Sequence, residues 1–217
     1  AYAWKACTLG QAMVRGYVDK PMQEIMPEFS NLMSSALSID PNDFECHRLQ
    51  CAVNTMMGDM KAALEHGKKA YDVNPNDPRI LQQYGEVLLK TGKTEEGCDL
   101  TLLALEYDPI AQGQTNSDKR KSDGVFGCVL DDRPDVGLEI ASGMIDRSEK
   151  VLIYSAALAI GSTGSLESFS WLMDDLRNVD LAKIEEAIEE MGKFDVVVQS
   201  KMKEVFLDHI LPLNEVA

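Results

Sequence analysis

The sequence predicts an all-α fold, a superhelical stack of helix–turn–helix hairpins, and three observations predict it. Pro41, Pro75 and Pro109 stand 34 residues apart, as do Gly58 and Gly92, and again Ala70 and Ala104. Aromatic residues make up only 6% of the chain, while Ala, Leu and Met are plentiful, a composition suited to helices packed through small and flexible side chains. Asn-Pro, Asp-Pro and Gly breakers separate apolar residues that recur at helical spacing. A period of 34 with small residues at fixed phases is the signature of the tetratricopeptide (TPR) repeat, a solenoid of helical hairpins.

Taken in order, 2–18 reads as the first helix, with Ala3, Ala6, Gly10 and Ala12 permitting close approach and Trp4, Leu9, Met13 and Tyr17 filling space. Gly16 and Asp19-Lys20-Pro21 end it. The next helix runs from Pro21 to about Ser38, and Pro27 implies a kink or a later start. The second hairpin spans about 43–57 and 60–73, with Asp43 as N-cap and Gly58 closing the first helix in a left-handed conformation. The third spans about 77–91 and 94–107, with Asp77 capping, Pro78 at the first helical position, Gly92 at the end and Thr94 capping the next helix. Ala63 and Gly97 hold the small position that opens the second helix of each pair.

After Pro109 the period fades. The polar run from Gln112 to Asp123 reads as a loop or loosened helix start and is the one locally basic spot. Segments 125–130 and 136–145 read as a degenerate hairpin turning at Asp131-Asp132-Arg133-Pro134. Segments 149–160 and 166–177 read as another, turning at Gly161-Ser162-Thr163-Gly164. Residues 181–191 and 194–211 then form a cap, because Glu185, Glu186, Glu189 and Glu190 make a solvated face over a stripe of Leu181, Ile184, Ala187, Ile188 and Met191. Val196-Val197-Val198 is β-branched, yet its context favours helix. The expected organisation is three TPR-type hairpins over 1–110, degenerate hairpins over 111–180 and capping helices over 181–217.

The totals exclude some functions. A net charge of −15 at pH 7 and a pI of 4.6 repel phosphate backbones and anionic membranes, so neither nucleic acid nor membrane is an expected partner. No apolar run reaches the ~18 residues of a membrane span. Cys7, Cys46, Cys51, Cys98 and Cys128 are odd in number and lack a CxxC, and they read as reduced core thiols of a cytoplasmic protein. The chain begins at Ala1 inside a helical pattern and reads as a piece of a longer protein.

No catalytic or metal-binding set stands out, and no cofactor is expected. Cys46-His47 with Cys51 lacks the paired ligand motifs of a zinc site. Gly161-Ser162-Thr163-Gly164 lacks the Gly-Lys-Ser/Thr end of a phosphate loop. Asp131-Asp132 and Asp174-Asp175 lack EF-hand spacing. His66 reads as a surface or boundary residue. What remains is a binding surface on the concave face, lined by the first helix of each pair. By the 34-residue phase its polar residues are Gln11, then Arg48 and Thr55, then Arg79, Gln82, Gln83, Glu86 and Lys90. Three cations among them, in so acidic a protein, suit an extended or acidic peptide segment as partner.

Several stretches carry a family resemblance: 1–11 (AYAWKACTLGQ), 43–48 (DFECHR), 74–80 (NPNDPRI), 85–88 (GEVL) and 92–97 (GKTEEG). Over roughly residues 1–110 the chain resembles the C-terminal TPR region of bacterial class III adenylate/guanylate cyclases, in which a catalytic domain precedes a helical-repeat tail. Related tails also follow winged-helix regulators. The resemblance implies a regulatory or protein-interaction role in cyclic-nucleotide signalling, or a self-association module that pairs two catalytic domains. It implies no catalysis by this chain, since a cyclase domain needs metal-binding aspartates on an α/β fold and the alternating pattern for one is missing here.

Overall fold

The structure, a computed structural model, describes residues 1–14, 16–109 and 118–215. Every regular element among the described residues is helical. The chain divides into two compact units, Ala1–Val87 and Leu88–Ala217.

In the first unit, α1 (Tyr2–Val14) packs on α2 (Met22–Ile39), and α3 (Phe44–Met57) on α4 (Met60–Val73). The helix α5 (Pro78–Lys90) contributes its residues up to Val87. Ala3, Ala6, Phe29, Leu32, Met33, Ala36, Cys46 and Leu49 form one buried cluster. The predicted caps Asp43 and Asp77 and the left-handed Gly58 hold. The Asp43 carboxylate accepts from the Cys46 amide at 2.8 Å, and Asp77 accepts from the Arg79 amide at 2.9 Å. Gly58 has φ +80°, and the Asp59 amide reaches back to the Asn54 carbonyl at 2.9 Å, the wrap that satisfies the last carbonyls of a helix.

Four details between residues 1 and 94 differ from the sequence reading. α1 stops at Val14, because Gly16 turns left-handed and the Tyr17 amide bonds the Ala12 carbonyl at 2.8 Å. Pro21 is not in α2 but precedes it in extended conformation. Pro27 sits inside α2 on its exposed side without ending it. Thr94 is the first residue of α6 (Thr94–Tyr107) and not its cap. The position equivalent to the capping residue Asp59 is Lys93, one residue earlier.

The second unit is built around α9 (Glu149–Thr163), where Val151–Ala156, Leu158 and Ala159 are buried. A helix apolar on nearly every side must be surrounded, and α9 packs against α7 (Lys119–Leu130), α8 (Pro134–Ser142), α10 (Ser170–Leu176), α11 (Leu181–Met191) and α12 (Val196–Val205). A π-helical stretch, Phe206–Ile210, follows α12 and leads into α13 (Leu211–Glu215).

Here the sequence reading needs more correction. Of the two readings for 112–123, loop or loosened helix start, the second holds at Lys119, Arg120 and Lys121, which form the first turn of α7 as each finds a carboxylate: Asp123 at 3.2 Å, Asp108 at 3.0 Å and Asp118 at 3.2 Å. Residues 112–117 of that predicted loop lie outside the described residues. α8 starts at Pro134 and ends at Ser142, not at Ile145. α9 continues through Gly161 and ends at left-handed Gly164, so the turn comes later and α10 is shorter than predicted. Val196–Val198 is helical, since the Asp195 carboxylate accepts from the Val197 and Val198 amides at 2.8 and 2.9 Å and nucleates the turn. The expected single helix over 194–211 widens at Phe206–Ile210. Pro212 explains the widening: it has no N–H to donate, and its ring crowds the carbonyl four residues back.

Close crossings carry both units. A Cβ on Gly67 would lie 2.6 Å from the Tyr84 ring, and one on Gly137 would lie 2.6 Å from Leu158 Cδ1 and 2.9 Å from Cys128 Cβ. Ala63, Ala70 and Ala104 are wholly buried. The Cys128 Cβ is part of a helix wall and has no rotamer with which to retreat. Gly137→Ala is therefore expected to destabilise, because overpacking of about 1–3 kcal/mol exceeds the roughly 1 kcal/mol that alanine gains in a helix. A lower urea midpoint with unchanged slope is the expected result, and a midpoint at or above wild type contradicts the packing.

Candidate functional site

The face formed by α1, α3 and α5 in the first unit holds a charge cluster that the sequence reading saw only in part. Arg48, in the first turns of α3, forms a two-point contact with Glu45, at 3.1 Å from Nε and 2.6 Å from a terminal nitrogen. Arg79, in the first turn of α5, reaches the same Glu45 at 3.3 Å and makes its own two-point contact with Asp77, at 3.1 and 2.6 Å. Glu45 is 2% exposed. The Arg79 guanidinium lies 5.4 Å from the Trp4 ring centroid, and Trp4 is 57% exposed. Two carboxylates and two guanidiniums thus neutralise one another under an exposed indole.

The electrostatics follow from that geometry. Burial alone raises the pKa of Glu45, but hydrogen bonds and charge from Arg48, with Arg79 behind, win and hold it below the ordinary carboxylate range. Asp77 is lowered by the same contest, burial against the Arg79 side chain and amide. Burial pushes the Cys7 thiol up, although the Arg48 guanidinium lies 3.6 Å from its sulfur. A raised thiol is a poor nucleophile.

The predicted site residues do not all converge. Arg48 and Arg79 meet on Glu45. Gln82 is buried on α5, and Gln83 and Glu86 are half-buried on the same helix. The Thr55 hydroxyl donates to the Cys51 carbonyl at 2.8 Å and serves its own helix. Gln11 is exposed on α1. Lys90 belongs to the second unit, where its ammonium lies 5.6 Å from the Phe194 ring centroid. Sequence reasoning missed Glu45, Asp77 and the exposure of Trp4 in this role. The three-residue spacing of Glu45 and Arg48 was the available signal.

Beside this face, the buried His47 ring is held at both nitrogens. Its Nε2 lies 2.9 Å from the Pro41 carbonyl, so it donates there, and its Nδ1 accepts from His66 Nδ1 at 2.9 Å. Burial, then the neighbouring His47 and Lys69, lowers the His66 pKa against a smaller opposing effect of Glu65. His66 occupies the boundary position expected of it. Among the described residues, no group of three or more His, Cys, Asp or Glu is placed to hold a metal ion.

Fold and face together define an all-α, TPR-like array of helical hairpins. Among solved structures, the chain is similar to PilF of Pseudomonas aeruginosa at a TM-score of 0.56 and 15% identity, over 99% of this chain and 86% of that one. It is also similar to YrrB, a TPR protein, at 0.53 and 14%, over 85% of this chain and 97% of that one. At such identity the likeness concerns the fold. No protein-family model matches the chain, and no curated protein matches it.

Two outcomes test this description. Glu45→Ala leaves Arg48, 13% exposed at its side chain, buried without its counter-charge, and is expected to cost about 3 kcal/mol in urea unfolding; a loss below about 1 kcal/mol is surface-pair behaviour. The lowered His66 value means the unfolded chain takes up that proton first. Its contribution to stability is therefore complete above the unfolded value of about 6.5 and is lost as pH falls toward the folded one. The melting temperature is expected to fall between neutral pH and the carboxylate range, with the slope flattened in His66→Gln; equal slopes contradict the assignment.

Proposed function

We propose that this chain is a non-catalytic protein-interaction module, and that a polypeptide segment docks on the α1–α3–α5 face of the first unit. The observation that carries the reading is Trp4, an exposed indole beside Arg79 on a face whose buried charges are already balanced. Exposed tryptophan and arginine are the residues most enriched at binding hot spots. Arg79, about one-third exposed, is the cation a bound segment reaches, so an acidic segment gains a charge-assisted contact there. YrrB is described as a TPR protein with a peptide-binding site, which supports a peptide as partner.

In this reading residues 1–110 supply three TPR-type hairpins, 111–180 continue them in degenerate form and 181–217 cap them. The resemblance of the first 110 residues to cyclase tails supports a regulatory setting beside a catalytic domain in a cyclic-nucleotide signalling protein. No helix among the described residues is long and apolar enough to cross a membrane.

Capture of partner proteins tests the reading. Trp4→Ala and Arg79→Gln change exposed or half-exposed groups and spare the buried Glu45–Arg48 pair, unlike Arg48→Ala. Each is expected to lower capture by about tenfold, the loss of one hot-spot contact. Capture unchanged in both variants removes the face from consideration.

A further inference from the structure

The second unit holds a cavity of about 200 Å³ between the α7–α8 turn, α9 and the α12–π-helical segment. Its floor is apolar, with Leu158, Ile160 and Val205 among the lining residues, and its rim carries Asp132, Lys201, Glu204 and His209. Small-molecule and cofactor sites run to about 300–1,000 Å³, so this one is the size for a single anchoring side chain. None of its residues belongs to the face of the first unit.

Three features set the cavity apart from an ordinary surface dent. Asp132 has φ +52°, the one positive φ at a non-glycine residue among the described residues. Asp132 closes α7 in the left-handed region, as the Arg133 amide reaches back to the Cys128 carbonyl at 2.9 Å, and aspartate is one of the few non-glycine residues that adopt it, so the helix end sets a carboxylate at the mouth. The π-helical stretch Phe206–Ile210 places His209 on the wall, and single π turns recur at functional sites. Among the described residues, the side chains of Asp132, Lys201, Glu204 and His209 make no hydrogen bond or ion pair, whereas Arg133 and Lys203, adjacent in the chain to Asp132 and Glu204, are paired with carboxylates.

The charge distribution points to the occupant. Residues 88–217 carry 13 Lys and Arg against 25 Asp and Glu, a net of −12 out of −15 for the chain. At the rim, two carboxylates face one ammonium and one imidazole. We propose that this cavity takes an aliphatic side chain of a basic linear peptide, with flanking Lys or Arg side chains on Asp132 and Glu204. Lys201, one helical turn from Glu204, then faces a peptide carbonyl. The field of the unit draws such a segment in and repels an acidic one.

Two substitutions separate binding from folding. Asp132→Gly removes the carboxylate and relieves the left-handed backbone. Gly161 lines the cavity within α9, and a Cβ there meets nothing within 4 Å, so Gly161→Leu brings an aliphatic side chain to the cavity from a backbone position open to substitution. The probe is a fluorescein-labelled peptide, Gly-Lys-Arg-Leu-Lys-Gly, titrated with the 217-residue chain at low salt and read by anisotropy. Saturable binding is expected, weakened by about tenfold when Leu is replaced by Gly, when the basic residues are replaced by Glu, or in Gly161→Leu. Asp132→Gly is expected to weaken it by about threefold or more while melting at or above the wild-type temperature. No saturable binding, equal binding of the Glu peptide, or undiminished binding of the Gly-for-Leu peptide overturns the proposal. These peptide arms need no variant, so they decide the matter even where a substitution fails to fold.

Discussion

Two helices can cross closely only where one of them lacks a side chain, and the architecture depends on that. Gly67 against the Tyr84 ring and Gly137 against Cys128 and Leu158 leave no room for a methyl group. Ala63, Ala70 and Ala104 mark the same kind of contact with the smallest side chain that still favours helix. In a stack of equivalent hairpins each helix meets neighbours in a fixed order, so the small positions recur at constant spacing. Around α9 that condition ends. It is packed by five other helices, and the small positions that serve it follow no single period. The loss of the 34-residue phase after Pro109 is therefore a change in the geometry of packing and not a loss of packing, since the largest buried cluster lies in the second unit.

Buried charge is the second constraint. A carboxylate as enclosed as Glu45 is costly unless its charge is met and its lone pairs are filled. Arg48 does most of this from the same helix, and Arg79 completes it from α5. The cations of this face are thus structural before they are recognition elements, and the indole of Trp4 is what the face presents to solvent. Asp118 plays a comparable part in the second unit. It is 2% exposed and accepts from the Ile145 and Asp146 amides at 2.8 Å each as well as from Lys121, which ties the segment after α8 to the start of α7. Burial raises its pKa, but those donors together lower it.

Legibility in the sequence followed the range of the interaction. Asp43, Gly58, Pro78 and Gly92 act within a few residues of themselves, and their roles could be read from local chemistry. Asp59 and Asp195 work the same way and were equally readable. Lys119-Arg120-Lys121 reads equally as loop or helix start until Asp108, Asp118 and Asp123 are seen beside it. Arg48 and Arg79 looked like available cations, because nothing in a linear chain shows two arginines sharing one carboxylate across 34 positions. The repeat spacing set an expectation for their helix face, but not for what they meet there. The π turn had a visible cause in Pro212, although its consequence lies up to six residues upstream.

The two candidate surfaces differ in how their charges are matched. In the first unit the charges cancel internally, with Glu45 and Asp77 against Arg48 and Arg79, and the exposed group is an aromatic ring. In the proposed reading, that face offers contact area on the ring together with one charge-assisted contact at the partly exposed Arg79. In the second unit an apolar hollow is ringed by ionisable groups that the fold leaves unmatched, within a segment of strongly negative net charge. Attraction there acts over roughly the 8 Å Debye length of physiological salt and weakens as salt rises. A scaffold that holds both can engage two partners of different chemistry without either competing for the other's contacts.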